Sequence, residues 1–201
     1  MRNCQFAFPN AWCRRGCEGL LTLAPLRRLH AMGLCALLLG LGALQCPVLA
    51  QLPANAEASL KGRLALSLAR FAQWPVSGIS GDPLRLCLAH RDPSVARAFA
   101  ELEGKVINGR LVQLVKAPPV ASCHVLFVHA TAERAGELLR AAEGSAILTI
   151  GDGEGFLALG GMVELVSLND ALRFDVNLGA FRAAKMSLSS QALKLARQVR
   201  E

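Results

Sequence analysis

The stretch Ala121-Ser122-Cys123-His124-Val125-Leu126-Phe127-Val128-His129 restricts the folds open to this chain more than any other. Its centre is a short apolar run of β-branched and aromatic side chains, with no polar position to face water on either side. Such a run is stable where both faces are covered, as in the middle of a sheet flanked by helices. Pro118-Pro119 stands before it, and a segment with helical periodicity follows. The stretch therefore reads as a buried central strand, and its neighbours read as units that alternate with it.

The 201 residues leave room for one domain of ordinary size plus an appendage, and an apolar content of 53% suffices for a core. Part of that content lies near the N-terminus. From Leu29 to Ala50 the chain centres on Leu34-Cys35-Ala36-Leu37-Leu38-Leu39-Gly40-Leu41, with basic residues before it, Pro47 within it and Val48-Leu49-Ala50 at its end. That order predicts a secretory signal peptide over residues 1–50, cleaved after about Ala50, and hence a periplasmic protein. A retained membrane anchor is the competing reading, because the charge-free stretch approaches spanning length. Pro47 and the small-residue ending favour removal. The formal charge of +7 falls to +3 when counted from Gln51, with 17 basic and 14 acidic residues. No lysine–arginine run stands out there, so the composition gives no support to a nucleic-acid partner.

Five of the seven cysteines (Cys4, Cys13, Cys17, Cys35, Cys46) precede Gln51 and would leave with the signal. Cys87 and Cys123 remain, an even number in an oxidising compartment, which predicts one disulfide. It would close a loop of 37 residues and stabilise the fold by roughly 3–4 kcal/mol on a chain-entropy basis. Two buried free thiols are the alternative. A catalytic thiol pair lacks the Cys-x-x-Cys spacing.

Residues 51–58 read as a polar, disordered leader and residues 59–201 as one domain. Ser59 can cap a helix from Leu60 to about Trp74, whose apolar positions Leu60, Leu64, Leu68, Phe71 and Ala72 share a face. Lys61, Arg63 and Arg70 lie off that face, and Pro75 ends the helix. Leu84 to Ala89 is the first strand, and Asp92-Pro93 opens a helix to Leu102. Arg110 to Val115 is the second strand, the opening stretch the third, Thr131 to Ala142 a helix, and Ala146 to Ile150 the fourth strand. Met162 to Ser167 and Leu172 to Asn177 alternate with period two and form an antiparallel hairpin. A helical piece starts at Leu178, and Ser190 can cap a last amphipathic helix through Val199. This order predicts the α/β class: a three-layer α/β/α domain with a mostly parallel central sheet extended by an antiparallel hairpin at one edge.

Gly151-Asp152-Gly153-Glu154-Gly155 follows a strand, the position of a phosphate cradle. It lacks the P-loop lysine and carries two carboxylates that would repel phosphate, so a flexible turn is the better reading. Asp152 and Glu154 lack the rest of an EF-type calcium loop. His124 and His129 have opposite strand parity and cannot act together as ligands on one face. No Gly-x-Ser-x-Gly elbow occurs. The expectation is a protein with no catalytic residue, no metal and no cofactor, and so not an enzyme.

Leu68-Ala69-Arg70-Phe71-Ala72-Gln73-Trp74-Pro75 resembles the F-x-x-(F/W)-x-x-W-P opening of the YfiR-like family of periplasmic regulators. Further motifs follow in that family's order: Leu86-Cys87-Leu88, Asn108-Gly109-Arg110, Ser122 to Phe127, Leu148 to Asp152, Gly155-Phe156, Gly160 to Val163, Arg173 to Asn177 and Ser187 to Ala196. The resemblance spans nearly all of Leu60 to Val199. It implies a non-catalytic protein that binds the periplasmic region of an inner-membrane diguanylate cyclase and represses it, lowering cyclic di-GMP. It further implies a homodimer, and sequestration by an outer-membrane, peptidoglycan-associated lipoprotein. Members often carry a second cysteine pair near the hairpin, which this chain lacks, and many have tyrosine in the first helix where this chain has leucine and alanine.

Phe156, Met162 and Glu164, with Ser187 and Leu188 before the last helix, are the candidate partner-binding residues, because apolar side chains on exposed loops make interaction anchors. Closure of the core by Phe156 and Met162 is the alternative. A second functional reading is a periplasmic small-ligand-binding module feeding a membrane sensor, motivated by glycine-rich loops at the strand ends.

Overall fold

The computed structural model describes residues 54–75 and 83–201. The expected signal peptide over residues 1–50, and the anchor that competes with it, lie outside the described residues. In chain order the elements are α1 (Ala54–Phe71), β1 (Ala72–Gln73), β2 (Leu84–Ala89), α2 (Pro93–Ala100), β3 (Val106–Ile107), β4 (Arg110–Lys116) and β5 (Val125–Val128). They continue as α3 (Ala135–Ala142), β6 (Leu148–Gly151), β7 (Val163–Leu168), β8 (Ala171–Asn177), α4 (Leu178–Ala183), β9 (Ser187–Leu188), α5 (Ser190–Leu193) and β10 (Gln198–Arg200).

The apolar centre of the stretch 121–129, Val125–Val128, is β5, and it lies between β2 and β6 in a sheet ordered β10-β8-β7-β6-β5-β2-β4-β3. Strands β4, β2, β5, β6 and β7 pair in parallel, and β7 with β8 forms the antiparallel hairpin. Side-chain alternation sends Val125 and Phe127 to one face of the sheet and Leu126 and Val128 to the other. On the first face lie α1 and α2, where the Phe127 and Phe99 rings stand 4.6 Å apart in a tilted pair. On the second face lies α3, through Leu138, Leu139 and Ala142. The result is the three-layer arrangement that the sequence predicts.

Cys87 on β2 and Cys123 form a disulfide, with 5.7 Å between their Cα atoms. Cys123 sits in the turn that enters β5, its N–H donating to the Val120 carbonyl. Both cysteines are buried in the second core cluster.

Several boundaries differ from the sequence reading, among them the end of the first helix, at Phe71 and not Trp74, because Ala72–Gln73 pair with β9 as β1. Helix α1 begins at Ala54, so the second half of the expected disordered leader is helical and Ser59 lies inside the helix. The Glu57–Lys61 ion pair, one turn apart, and a hydrogen bond from Ser167 Oγ to Glu57 hold that extra turn. Helix α3 begins at Ala135 and not at Thr131, because Arg134 adopts a left-handed conformation with φ of 55°. The last helix is only α5, capped by Ser189 and not Ser190, and the chain then turns into β10 beside β8. No helix among the described residues is long and apolar enough to cross a membrane.

Candidate functional site

The glycine-rich segment between β6 and β7 is a closed loop built around one ring. Phe156 is 2% exposed and lies against Gly151 and Gly161, where a Cβ at either position would overlap its side chain. The Gly161 N–H donates to the Phe156 carbonyl at 3.1 Å, which folds the second half of the loop back on its middle. From β7, the Glu164 carboxylate accepts the N–H groups of Gly155 at 3.2 Å and Leu157 at 3.1 Å. The expected flexible turn is therefore a tethered plug, because two glycines leave a slot that an aromatic ring fills.

Glu164 stands opposite Asp175 in the β7–β8 register, a like-charged cross-strand pair that is destabilising by itself. Arg197 offsets it. Its guanidinium grips the buried Asp175 carboxylate with both Nε and Nη2, the former at 2.9 Å. The hydrogen bonds to Asp175 hold the Arg197 guanidinium above its usual range despite some desolvation, and the Glu164 charge adds to the effect. The segment before β10 is thus tied through Asp175 and Glu164 to the plugged loop.

Ser187 and Leu188 occupy a separate place. They form β9, which pairs with β1 at the exit of α1, Ala72 opposite Leu188 and Gln73 opposite Ser187. Ser187 Oγ donates to Gln73 Oε1 at 2.8 Å. The plugged loop lies by the N-terminal half of α1, where Lys61 meets Asp152. Lys61 and Phe71 are separated by about 15 Å of helix at the usual rise per residue.

The five candidate residues accordingly do not form one patch. Phe156, Met162 and Leu188 are buried, Met162 with its N–H donating to Thr149 Oγ1 at 3.0 Å. The expectation that Phe156 and Met162 are exposed anchors does not hold, because they close the core beneath the surface they shape. Glu164 is half-buried and committed to the loop, and Ser187 is exposed. The large apolar side chain that this loop does present to solvent is Leu159, 55% exposed, which the sequence reading missed.

A second arrangement also escaped the sequence reading. Lys61 Nζ lies 2.9 Å from both Glu57 Oε1 and Asp152 Oδ2, and His129 Nε2 is 3.5 Å from the same Asp152 oxygen. Asp152 Oδ1 accepts the Ala130 N–H at 2.7 Å. Burial alone would pull the Lys61 ammonium down, but hydrogen bonds to Asp152 and Glu57 outweigh it and hold it above its usual range. The hydrogen bonds from Lys61 and Ser167 hold the Glu57 carboxyl below its usual range. The Asp152 side chain is thus held inside by Lys61 and the Ala130 N–H. The available signal was the four-residue spacing of Glu57 and Lys61, which marks a helical pair but not its buried third member.

His124 is a core histidine. Its Nδ1 accepts the Arg85 N–H at 3.0 Å. Burial pushes it down to about 4, aided by the Arg110 and Arg85 charges. Among the described residues, no three His, Cys, Asp or Glu side chains come together as a metal site.

A family model described as YfiR/HmsC-like (DUF4154) matches residues 58–197. No match was found among curated proteins. Among solved structures, the crystal structure of the ABC domain in complex with L-Trp from Streptococcus pneumonia is similar at 11% identity and a TM-score of 0.44. That likeness covers 71% of this chain and 60% of that one, and it is too distant to bear on function. The family match spans the stapled strands, the plugged loop and the hairpin together, and the chain belongs to the YfiR/HmsC-like family of periplasmic regulators of diguanylate cyclase signalling.

Proposed function

We propose that this protein binds the periplasmic region of an inner-membrane diguanylate cyclase and holds the enzyme inactive, without catalysing a reaction itself. The observation that carries this reading is the family match over residues 58–197. In the same reading the protein is a homodimer, and an outer-membrane, peptidoglycan-associated lipoprotein sequesters it to release the cyclase. The plugged loop supplies the contact surface, with Leu159 exposed on it and Phe156, Met162 and Glu164 fixing its shape, while Ser187, held in place by the buried Leu188, offers a second contact at the exit of α1. A preformed, tethered loop suits such a role, because little conformational entropy is lost when a rigid surface binds. Purification of the tagged protein from solubilised membranes tests this, with mass spectrometry of what travels with it. A diguanylate cyclase with a periplasmic region is the expected companion, and its absence, with the tagged protein recovered intact, contradicts the reading.

A specific observation favours a second reading, a small-ligand-binding module. A cavity of about 570 Å³ opens at the C-terminal ends of the parallel strands, lined among others by His90, Arg91, Pro118, Pro119, Glu133 and Leu138. Its position, beside the β2–β5 junction where the strand order reverses, is where open α/β sheets bind ligands. A thermal-shift screen of periplasmic metabolites tests it, and a screen without a stabilising compound contradicts it.

A further inference from the structure

We infer that the β10 edge of the sheet docks on an anionic lipid surface. The charge of the chain from Gln51 onward is concentrated in its last segment. Residues 173–201 hold six basic residues (Arg173, Arg182, Lys185, Lys194, Arg197, Arg200) against Asp175 and Glu201, a net of +4. Residues 51–172 hold 11 basic and 12 acidic residues, a net of −1. Counted over the whole segment from Gln51, this asymmetry disappears into the modest total of +3.

The fold brings part of that charge, Arg173, Arg182, Arg197 and Arg200, to the β10 edge. Strand β10 is the outermost strand, beside β8, and all three of its residues are exposed. Helix α4 reaches the same edge through Arg182, whose Nη1 lies 2.7 Å from Glu201 Oε2. The Arg197 N–H donates to the Phe174 carbonyl at 2.8 Å, which places Arg173 close by. Arg197 and Arg182 are paired with Asp175 and Glu201. Among the described residues, no ion pair neutralises Arg173, Lys185, Lys194 or Arg200.

Among these cations stand two bare apolar side chains. Leu195 is 70% exposed, the most exposed of the large apolar side chains among the described residues, and Val199 is 44% exposed. Water gives such side chains no stabilisation, and neither packs against a cluster that would hide it. Leucine and valine set between lysine and arginine suit a membrane interface, where the apolar groups enter the acyl boundary and the cations meet phosphate headgroups. The competing occupant, an acidic protein surface with apolar side chains of its own, is separated from lipid by the vesicle experiment. The inference stands apart from the identity of any cyclase, since it concerns lipid alone.

Co-sedimentation of the mature protein with vesicles tests it, comparing phosphatidylglycerol-containing with pure phosphatidylcholine membranes. The wild type is expected to bind the anionic vesicles, to release as salt is raised, and to ignore the neutral ones. Lys194→Glu/Arg200→Glu is expected to weaken binding at least 25-fold, about fivefold for each cation lost. Leu195→Ser is expected to weaken binding without changing the circular dichroism spectrum or the melting temperature. Lys105→Glu/Lys116→Glu, at the opposite edge of the sheet, is expected to retain binding. Absence of binding to anionic vesicles overturns the inference, and so does equal loss in the two double variants. An acidic protein as the true partner would show itself as the first of these results.

Discussion

The Lys61 ammonium on α1 stands 2.9 Å from a carboxylate oxygen of Asp152, whose side chain is 1% exposed just past the end of β6. Removing the cation would leave the enclosed carboxylate with only the Ala130 N–H and His129 beside it. Lys61→Met is therefore predicted to destabilise the fold by about 3 kcal/mol, a fall of roughly 6–12 °C in melting temperature for a chain of this size. Lys61→Met/Asp152→Leu is predicted to recover most of that loss, since it removes the enclosed carboxylate. Thermal unfolding of the two variants checks both outcomes.

The disulfide gives a second prediction. Cys87 and Cys123 are 36 positions apart in the chain. Reduction is predicted to lower the unfolding free energy by about 3–4 kcal/mol, chiefly by freeing the unfolded chain. Urea denaturation with and without a reductant measures it, and coincident curves would contradict the account.

The plugged loop gives a third. Gly151→Ala and Gly161→Ala each place a methyl group where the Phe156 ring lies. Each is predicted to destabilise by about 1–3 kcal/mol through overpacking. Phe156→Ala, which empties the slot, is predicted to cost about 3–5 kcal/mol. If the loop is the cyclase contact, all three variants also repress less well at temperatures where they remain folded.

A fourth prediction concerns pH. His124 is held at about 4 in the folded protein against 6.5 when unperturbed. Below pH 6.5 the unfolded chain takes up a proton that the folded chain refuses, so stability falls as the pH drops from 6.5 toward 4. Above 6.5 this contribution is constant. His124→Gln is predicted to flatten the profile between pH 6.5 and 5, above the range where Glu57 and other carboxylates titrate. Lys61, held above its ordinary 10.5, contributes stability that is present below that value and lost as the pH rises through its raised one. Denaturation midpoints across the pH series separate the two effects.

The interior of the sheet was legible because its signals are local. The bounds of β2 matched the sequence reading, and β5 lay at the centre, because an all-apolar run leaves no wet face to choose. Asp92-Pro93 marked the start of α2 because the Asp92 side chain accepts the Ser94 N–H. What failed depended on distant partners. Leu193, Leu195, Ala196 and Val199 fit a helical face, yet contacts of Arg197 with Phe174 and Asp175 draw the segment into β10. The spacing of Gly151, Gly155 and Gly161 was visible, but the ring that fills it turned an expected anchor into a plug. Lys61 was assigned to the wet side because nothing local announces that Asp152, 91 positions on, lies over it.

The claim at the centre of this account is repression of a diguanylate cyclase from the periplasm. The most direct measurement is cellular cyclic di-GMP in the parent strain, in a strain lacking this protein and in that strain with the protein restored. The account predicts a rise on deletion and a return to the parental level on restoration. A level that stays unchanged on deletion under several growth conditions would contradict it.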